Sequence, residues 1–105
     1  MFSIIIPTFN NLDYLKVCIK SIRKNSYFNH QIIPHVNIGD DGTRDFLLGE
    51  SIDYTYTDYN SGICEGMNIA SKKSKFEYIL YSHDDFYFCP DWDTTLKKEI
   101  DLIGH

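Results

Sequence analysis

The sequence predicts an α/β domain: a Rossmann-like, mainly parallel sheet of about four strands with flanking helices. Apolar runs alternate with stretches of helical periodicity at roughly the 30-residue repeat of βαβ units. The first run, Ser3–Pro7, is continuously apolar and closed by Pro7, as in a strand covered on both faces. The run Tyr78-Ile-Leu-Tyr-Ser-His-Asp-Asp-Phe ends abruptly in two adjacent carboxylates, so it reads as a buried strand that leaves the core at Asp84 and Asp85.

Each element follows in order. After the strand at Ser3–Pro7, Asn10 or Asn11 can cap a helix with Asp13 in its first turn, and Leu12, Leu15, Ile19 and Ile22 form its apolar face. Asn25–His30 is turn-like. His35–Gly39 reads as a second strand with Pro34 tolerated at its start. Gly39-Asp-Asp-Gly-Thr is a loop whose glycines permit positive φ, and Arg44–Leu48 suits a short helix. Ile52–Thr57 alternates like a partly exposed edge strand, with Tyr54, Tyr56 and Tyr59 on its outer face. Asn60 or Ser61 can cap a third helix whose inner face holds Ile63, Met67 and Ala70. Glu77–Ser82 is the fourth strand. Asp91, after Pro90, can cap a last helix in which Trp92, Leu96, Ile100 and Ile103 repeat at helical spacing. Trp92, Phe86 and Phe88 read as core and sheet-cover residues.

Composition narrows the function classes. One domain accounts for 105 residues, and 43% hydrophobic with 24% charged residues is ordinary for a globular chain. A net charge of −5 argues against a nucleic-acid partner, since phosphate backbones require basic surface. Lys16, Lys20, Arg23 and Lys24 share one helical face and read as a solvated face. Cys18, Cys64 and Cys89 fit neither a disulfide framework nor a zinc site and read as reduced thiols. No apolar run is long enough to span a bilayer, and Met1 leads directly into a strand without a basic leader. The expected location is cytoplasmic.

Parallel strands point one way, so the segments that follow them gather along one sheet edge. Those segments are Pro7–Asn10, Gly39–Thr43, Asp58–Gly62 and His83–Asp85. The acidic pairs Asp40–Asp41 and Asp84–Asp85 should thus face one crevice. Unpaired carboxylates there repel each other and cost free energy to desolvate. A solvated loop is one solution; a hard cation such as Mg²⁺ or Mn²⁺, which takes carboxylate oxygens and keeps positions for phosphate, is the other. No GxxxxGK[ST] or GxGxxG is present, which leaves carboxylates and metal as the route to a nucleotide diphosphate.

Four segments resemble the family 2 glycosyltransferases of GT-A fold: Ser3-Ile-Ile-Ile-Pro-Thr-Phe-Asn-Asn, Gly39-Asp-Asp-Gly-Thr-Arg-Asp45, Asn60-Ser-Gly62 with Asn68-Ile-Ala, and Tyr78-Ile-Leu-Tyr-Ser-His-Asp-Asp. They keep the family's order and spacing over nearly all the chain. The resemblance implies inverting transfer of a sugar from a nucleotide diphosphate sugar, most often a UDP-sugar, to a saccharide or lipid-linked acceptor. By that likeness Pro7 and Phe9 line the base pocket and Asp41 hydrogen-bonds the base. His83-Asp84-Asp85 stands at the DxD-like motif, where Asp84 meets the ribose and Asp85 ligates Mn²⁺ or Mg²⁺ on the diphosphate.

Two departures stand out. His83 occupies the first motif position, as a further candidate ligand or as a hydrogen-bond partner for a neighbouring carboxylate. Met67 stands where many members carry Arg. In the family, the acceptor half and the general base follow the DxD motif, beyond the length of this chain. Asp91 and Asp93 are the only nearby acids after the motif, and both fit better as helix-start residues. Residues 1–105 are therefore expected to be the nucleotide-sugar-binding part of the transferase domain, cut short before its acceptor half. Peripheral contact with the inner membrane face and self-association through an uncovered sheet edge fit this reading. The competing class is a transferase-like nucleotide-binding or protein-interaction module without catalysis.

Overall fold

The computed structural model describes residues 1–102. Strands and helices alternate as β1 (Phe2–Phe9), α1 (Leu12–Asn25), β2 (Gln31–Asn37), α2 (Thr43–Gly49), β3 (Thr55–Thr57), α3 (Gly62–Ser71), β4 (Tyr78–Tyr81) and α4 (Trp92–Leu102). The strands form one parallel sheet in the order β3-β2-β1-β4. This is the α/β architecture the periodicity predicts, with Ile103 outside the described residues.

Alternate residues of β1 serve opposite sheet faces. Ile4 and Ile6 pack with Leu15, Cys18, Ile19 and Ile22 of α1, while Ile5 packs with Ile33 and Ala70 on the α3 side. All three β1 isoleucines are fully buried. Each contributes about 1.5–3 kcal/mol of burial free energy, and together they explain why this segment is apolar without alternation.

Several boundaries differ from the sequence expectation. β2 begins at Gln31, so Pro34 lies inside it, opposite Ile6. That position is tolerable because β3 pairs with β2 only from His35 onward, leaving β2 an edge as far as Pro34. β3 contracts to three residues; Tyr56 and Tyr59 are exposed as anticipated, whereas Tyr54 precedes the strand and packs on the core. Ile63 is exposed rather than inward; α3 instead turns Gly66 and Ala70 to the sheet. β4 is an edge strand, and Ile79 and Tyr81 are exposed where a buried strand was expected. Phe88 and Trp92 do pack on the core, whereas Phe86 is half exposed.

Asp93 lies in the first turn of α4 as expected, but it is also completely buried, which its place at a helix start does not require. Its carboxylate accepts the amide hydrogens of Tyr27 at 2.9 Å and Phe28 at 2.8 Å and bonds His30 Nε2 at 2.8 Å. His30 Nδ1 in turn accepts the Phe2 amide at 3.0 Å, so the ring carries its hydrogen on Nε2 and donates it to Asp93. The ring stacks on Phe2 and lies against Trp92. One carboxylate thus fastens α4 to the α1–β2 connection and to the start of β1. Burial alone would raise the Asp93 carboxyl, but the Phe28 and Tyr27 amides and His30 prevail and hold it below the ordinary value. Asp91, expected to cap α4, has a φ of 64° and engages Thr95 through its carbonyl.

Two outcomes follow from this packing. Asp93→Ala leaves two amides without acceptors and should cost about 2–4 kcal/mol in urea unfolding. Because the folded carboxyl is depressed, its contribution is complete above the ordinary value of 3.8 and lost as pH falls toward the lower folded one. Gly66→Ala, normally favourable in a helix, places a methyl 2.8 Å from the His35 ring and should destabilise by about 1–3 kcal/mol in the same assay.

Candidate functional site

The polar ends of the strands satisfy one another along one sheet edge. The Ser82 amide donates to Ile5 O, carrying β4 alongside β1 to the start of the acidic triplet. Thr8, buried near the end of β1, donates from Oγ1 to Asp84 Oδ2 at 2.9 Å. Cys18 of α1 contacts the His83 carbonyl at 3.6 Å. Burial, with the Asp84 charge beside it, pushes that thiol up to about 12, so it stays a neutral packing group.

The loop after β2 is strained. Ile38 takes a φ of 66° and Gly39 one of 74°. A left-handed conformation is costly for a β-branched residue. The Ile38 amide is held by Thr57 O at 2.8 Å, and the Asp40 amide by Asn10 Oδ1 at 2.9 Å. A Cβ on Gly39 would lie 2.6 Å from Val36, so glycine is required there twice over.

Asp41 then spans two helix starts. Its Oδ2 accepts the Leu12 amide of α1 at 2.9 Å, and its Oδ1 accepts the Thr43 amide and hydroxyl of α2. Burial works against the charged form, but the Thr43 and Leu12 bonds outweigh it and hold the carboxyl low. Neither Asn10 nor Asn11 caps α1: the Asn11 side chain makes no cap bond and Asn10 holds Asp40. At α3 Ser61 takes the N-cap position but its side chain makes no cap bond, while Asn60 Oδ1, one residue earlier, accepts the Gly62 amide at 3.1 Å.

These ends enclose two small depressions of about 310 Å³ each. Pro7, Phe9, Asn37, Asn60, His83 and Asp84 help to line one. The other lies against Asn10, Leu12, Tyr14 and Asp41. Phe9 and Asn10, consecutive at the end of β1, divide them, so the two acidic pairs lie on either side of one turn. A larger depression of about 540 Å³ beside β4 is walled mostly by apolar groups such as Leu80, Phe88, Trp92 and Leu96.

Asp85 is exposed, and the His83 ring lies against Phe86, with centroids 5.0 Å apart, rather than bonding a carboxylate. Among the described residues, no group of three or more His, Cys, Asp or Glu side chains is placed to hold a metal. Asp85 and His83 offer hard oxygen and imidazole donors. That fits Mg²⁺ or Mn²⁺ only if phosphate oxygens and water complete the shell, as is usual for Mg²⁺.

The model of the family described as "Glycosyl transferase family 2" matches residues 3–105. The chain belongs to glycosyl transferase family 2. It is 33% identical, over 99% of its length, to an uncharacterized glycosyltransferase of Rickettsia conorii, covering 17% of that protein. It is 28% identical, over 98% of its length, to a putative teichuronic acid biosynthesis glycosyltransferase of Bacillus subtilis, TuaG, covering 42% of it. The chain therefore spans less than half the length of either relative. Its fold matches S. aureus TarS 1–349 with a TM-score of 0.80 at 21% identity, over 97% of this chain and 32% of that one. TarS 1–349 in complex with UDP-GlcNAc matches with a TM-score of 0.79 at 23% identity, over 97% of this chain and 30% of that one. No described helix is long and apolar enough to cross a membrane.

Sequence reasoning singled out Pro7, Phe9, Asp41, Asp84 and Asp85 at this edge but missed Thr8, Asn37 and the structural duty of Asp41. The signal for Asn37 was available: His35 and Asn37 are polar residues inside an otherwise apolar strand. Since Asp41 ties two helices, Asp41→Ala should lower stability by about 1–2 kcal/mol in thermal unfolding without ligand.

Proposed function

We propose that this chain forms the nucleotide-sugar-binding part of an inverting glycosyltransferase that moves a sugar from a nucleotide diphosphate donor, a UDP-sugar, to a saccharide or lipid-linked acceptor. The observation that carries this is the pocket at the strand ends, lined by Pro7, Phe9 and Asp84, with the exposed Asp85 carboxylate next in sequence. Solved structures of TarS 1–349 with UDP and with UDP-GlcNAc, which share this fold, support the choice of donor.

In this reading Pro7 and Phe9 flank the base, which reaches past the Phe9–Asn10 turn into the neighbouring depression, where Asp41 accepts a hydrogen bond from it. A carboxylate has about four acceptor positions, and Asp41 uses three, so one remains. Asp84, held by the Thr8 hydroxyl, presents its other oxygen to the ribose. Asp85, with His83 as a candidate second ligand, holds Mn²⁺ or Mg²⁺ against the diphosphate. The bound ion supplies Lewis-acid stabilisation of the leaving diphosphate. An inverting transfer also needs a base for the acceptor hydroxyl. Asp93 is unsuited to it, being buried and fully bonded, and we place the base outside residues 1–105. The same reading puts the protein in the cytoplasm, peripheral to the inner membrane face, with the exposed β4 edge open to self-association. A non-catalytic nucleotide-binding or interaction module is the second reading, favoured by the packing of His83 on Phe86.

Calorimetric titration with UDP, with GDP as control, decides between them. We expect Mn²⁺-dependent UDP binding that Asp85→Ala weakens at least tenfold, roughly 1.4 kcal/mol. A folded wild-type chain that binds neither nucleotide would sink the donor-site assignment.

A further inference from the structure

Asn37 is buried at the end of β2, and its amide joins three elements. Its Nδ2 donates to Thr8 O of β1 at 3.2 Å. Its Oδ1 accepts the Ser61 amide at 2.8 Å and the Ser61 hydroxyl at 2.6 Å, and the Thr57 Oγ1 of β3 lies 3.3 Å away. The orientation of this amide is forced. A backbone carbonyl on one side can only accept, and a backbone N–H on the other can only donate.

The surrounding hydroxyls are equally constrained. The Ser61 hydrogen goes to Asn37, and the Thr57 hydrogen to Tyr59 O at 2.8 Å. Both oxygens then accept from His35 Nε2, at 3.2 Å each, while His35 Nδ1 accepts the Thr55 hydroxyl at 2.7 Å. His35 is therefore a neutral ring with a defined tautomer, in keeping with the lowering effect of burial on its pKa. Every polar atom that anchors the Asn60–Gly62 turn has one partner arrangement.

We propose that Asn37 is a positioning residue that sets the width of the donor pocket, by clamping the Thr8 wall to the Ser61 wall. This rests on the donor-site reading above. Thr8 carries the hydroxyl that orients Asp84, and Ser61 precedes Gly62 and follows Asn60, both of which line the pocket opposite Phe9. Loss of the clamp frees the Thr8 carbonyl and the Ser61 amide and leaves the Ser61 wall tied to the sheet through the His35 contact alone, at 3.2 Å. Asn37→Asp is the discriminating variant: it keeps an acceptor for Ser61 but turns a carboxylate oxygen toward the Thr8 carbonyl, where a donor is needed.

Amide hydrogen exchange on the ligand-free chain tests the clamp, and UDP titration with Mn²⁺ tests its consequence. In Asn37→Ala, the Ser61 amide should exchange at least tenfold faster, while the Ile4 and Ile6 amides keep wild-type rates. UDP affinity should fall at least tenfold in Asn37→Ala, and also in Asn37→Asp, which serves if the alanine variant does not fold. An unchanged Ser61 amide in Asn37→Ala, uniform acceleration of all amides, or wild-type UDP affinity in both variants overturns the proposal. If the wild type binds no UDP, the donor-site reading falls, and the pocket-width role falls with it; a Ser61-specific exchange change would then show the clamp to be structural only.

Discussion

β1 pairs with β2 along one edge and with β4 along the other, and its C-terminal end decides where the polar groups of the site must go. Its hydrogen bonds to β2 run from Ser3 to Phe9, but those to β4 stop at Ile5, with the Ser82 amide adding one more. Past that point the β4 side of β1 has no ladder. Thr8 fills the gap by presenting its hydroxyl to Asp84. On the other side, Asn37 takes the Thr8 carbonyl. Buried backbone groups that lose a ladder partner must find another, and the Thr8 carbonyl finds it in the Asn37 side chain. The site is in this sense the way the sheet ends.

The same accounting sorts the acids. Asp93 sits in the interior and is charged only because amides and His30 meet its oxygens. Asp41 is exposed yet bound at two helix starts, where the dipole favours a negative group. Asp84 has one oxygen engaged by Thr8. Asp85 is exposed, one residue beyond. Along this gradient the carboxylates pass from structural ties to groups with acceptor capacity left for a ligand. Neighbouring like charges are least costly where one is hydrogen-bonded and the other solvated, which describes the pair at 84 and 85.

Much of this was legible in the sequence for identifiable reasons. The β1 run is continuously apolar because both faces are covered, and the helical stripe of Leu15, Ile19 and Ile22 is buried as its spacing implies. The acidic segments lie after strands because parallel strands end together. What escaped detection depends on contacts between residues far apart in the chain. Asp93 and His30 are separated by 63 positions, and nothing local distinguishes a carboxylate that starts a helix in water from one driven into the core by two amides. Pro34 was placed at a strand's start because proline removes a donor, and only the late onset of β3 explains its place inside β2. The inward face of α3 was right at Met67 and Ala70 and wrong at Ile63, and it missed Gly66, which has no side chain to register in an apolar pattern yet is the residue that lets the helix approach His35.

The exposed face of β4 follows from the same geometry. α4 packs through Trp92, Leu96 and Ile100 onto the side of the core that includes Leu80 and Phe2. That leaves Ile79 and Tyr81 of β4 in contact with water. Five successive residues from Tyr78 to Ser82 therefore carry two demands: an apolar strand that extends the sheet, and an abrupt polar end that delivers Asp84 to Thr8. The second demand is met by a single hydroxyl–carboxylate bond and a single amide bond to Ile5. With so few ties, His83-Asp84-Asp85 is the least constrained part of the site, whereas the Asn37 side is bonded at every polar atom.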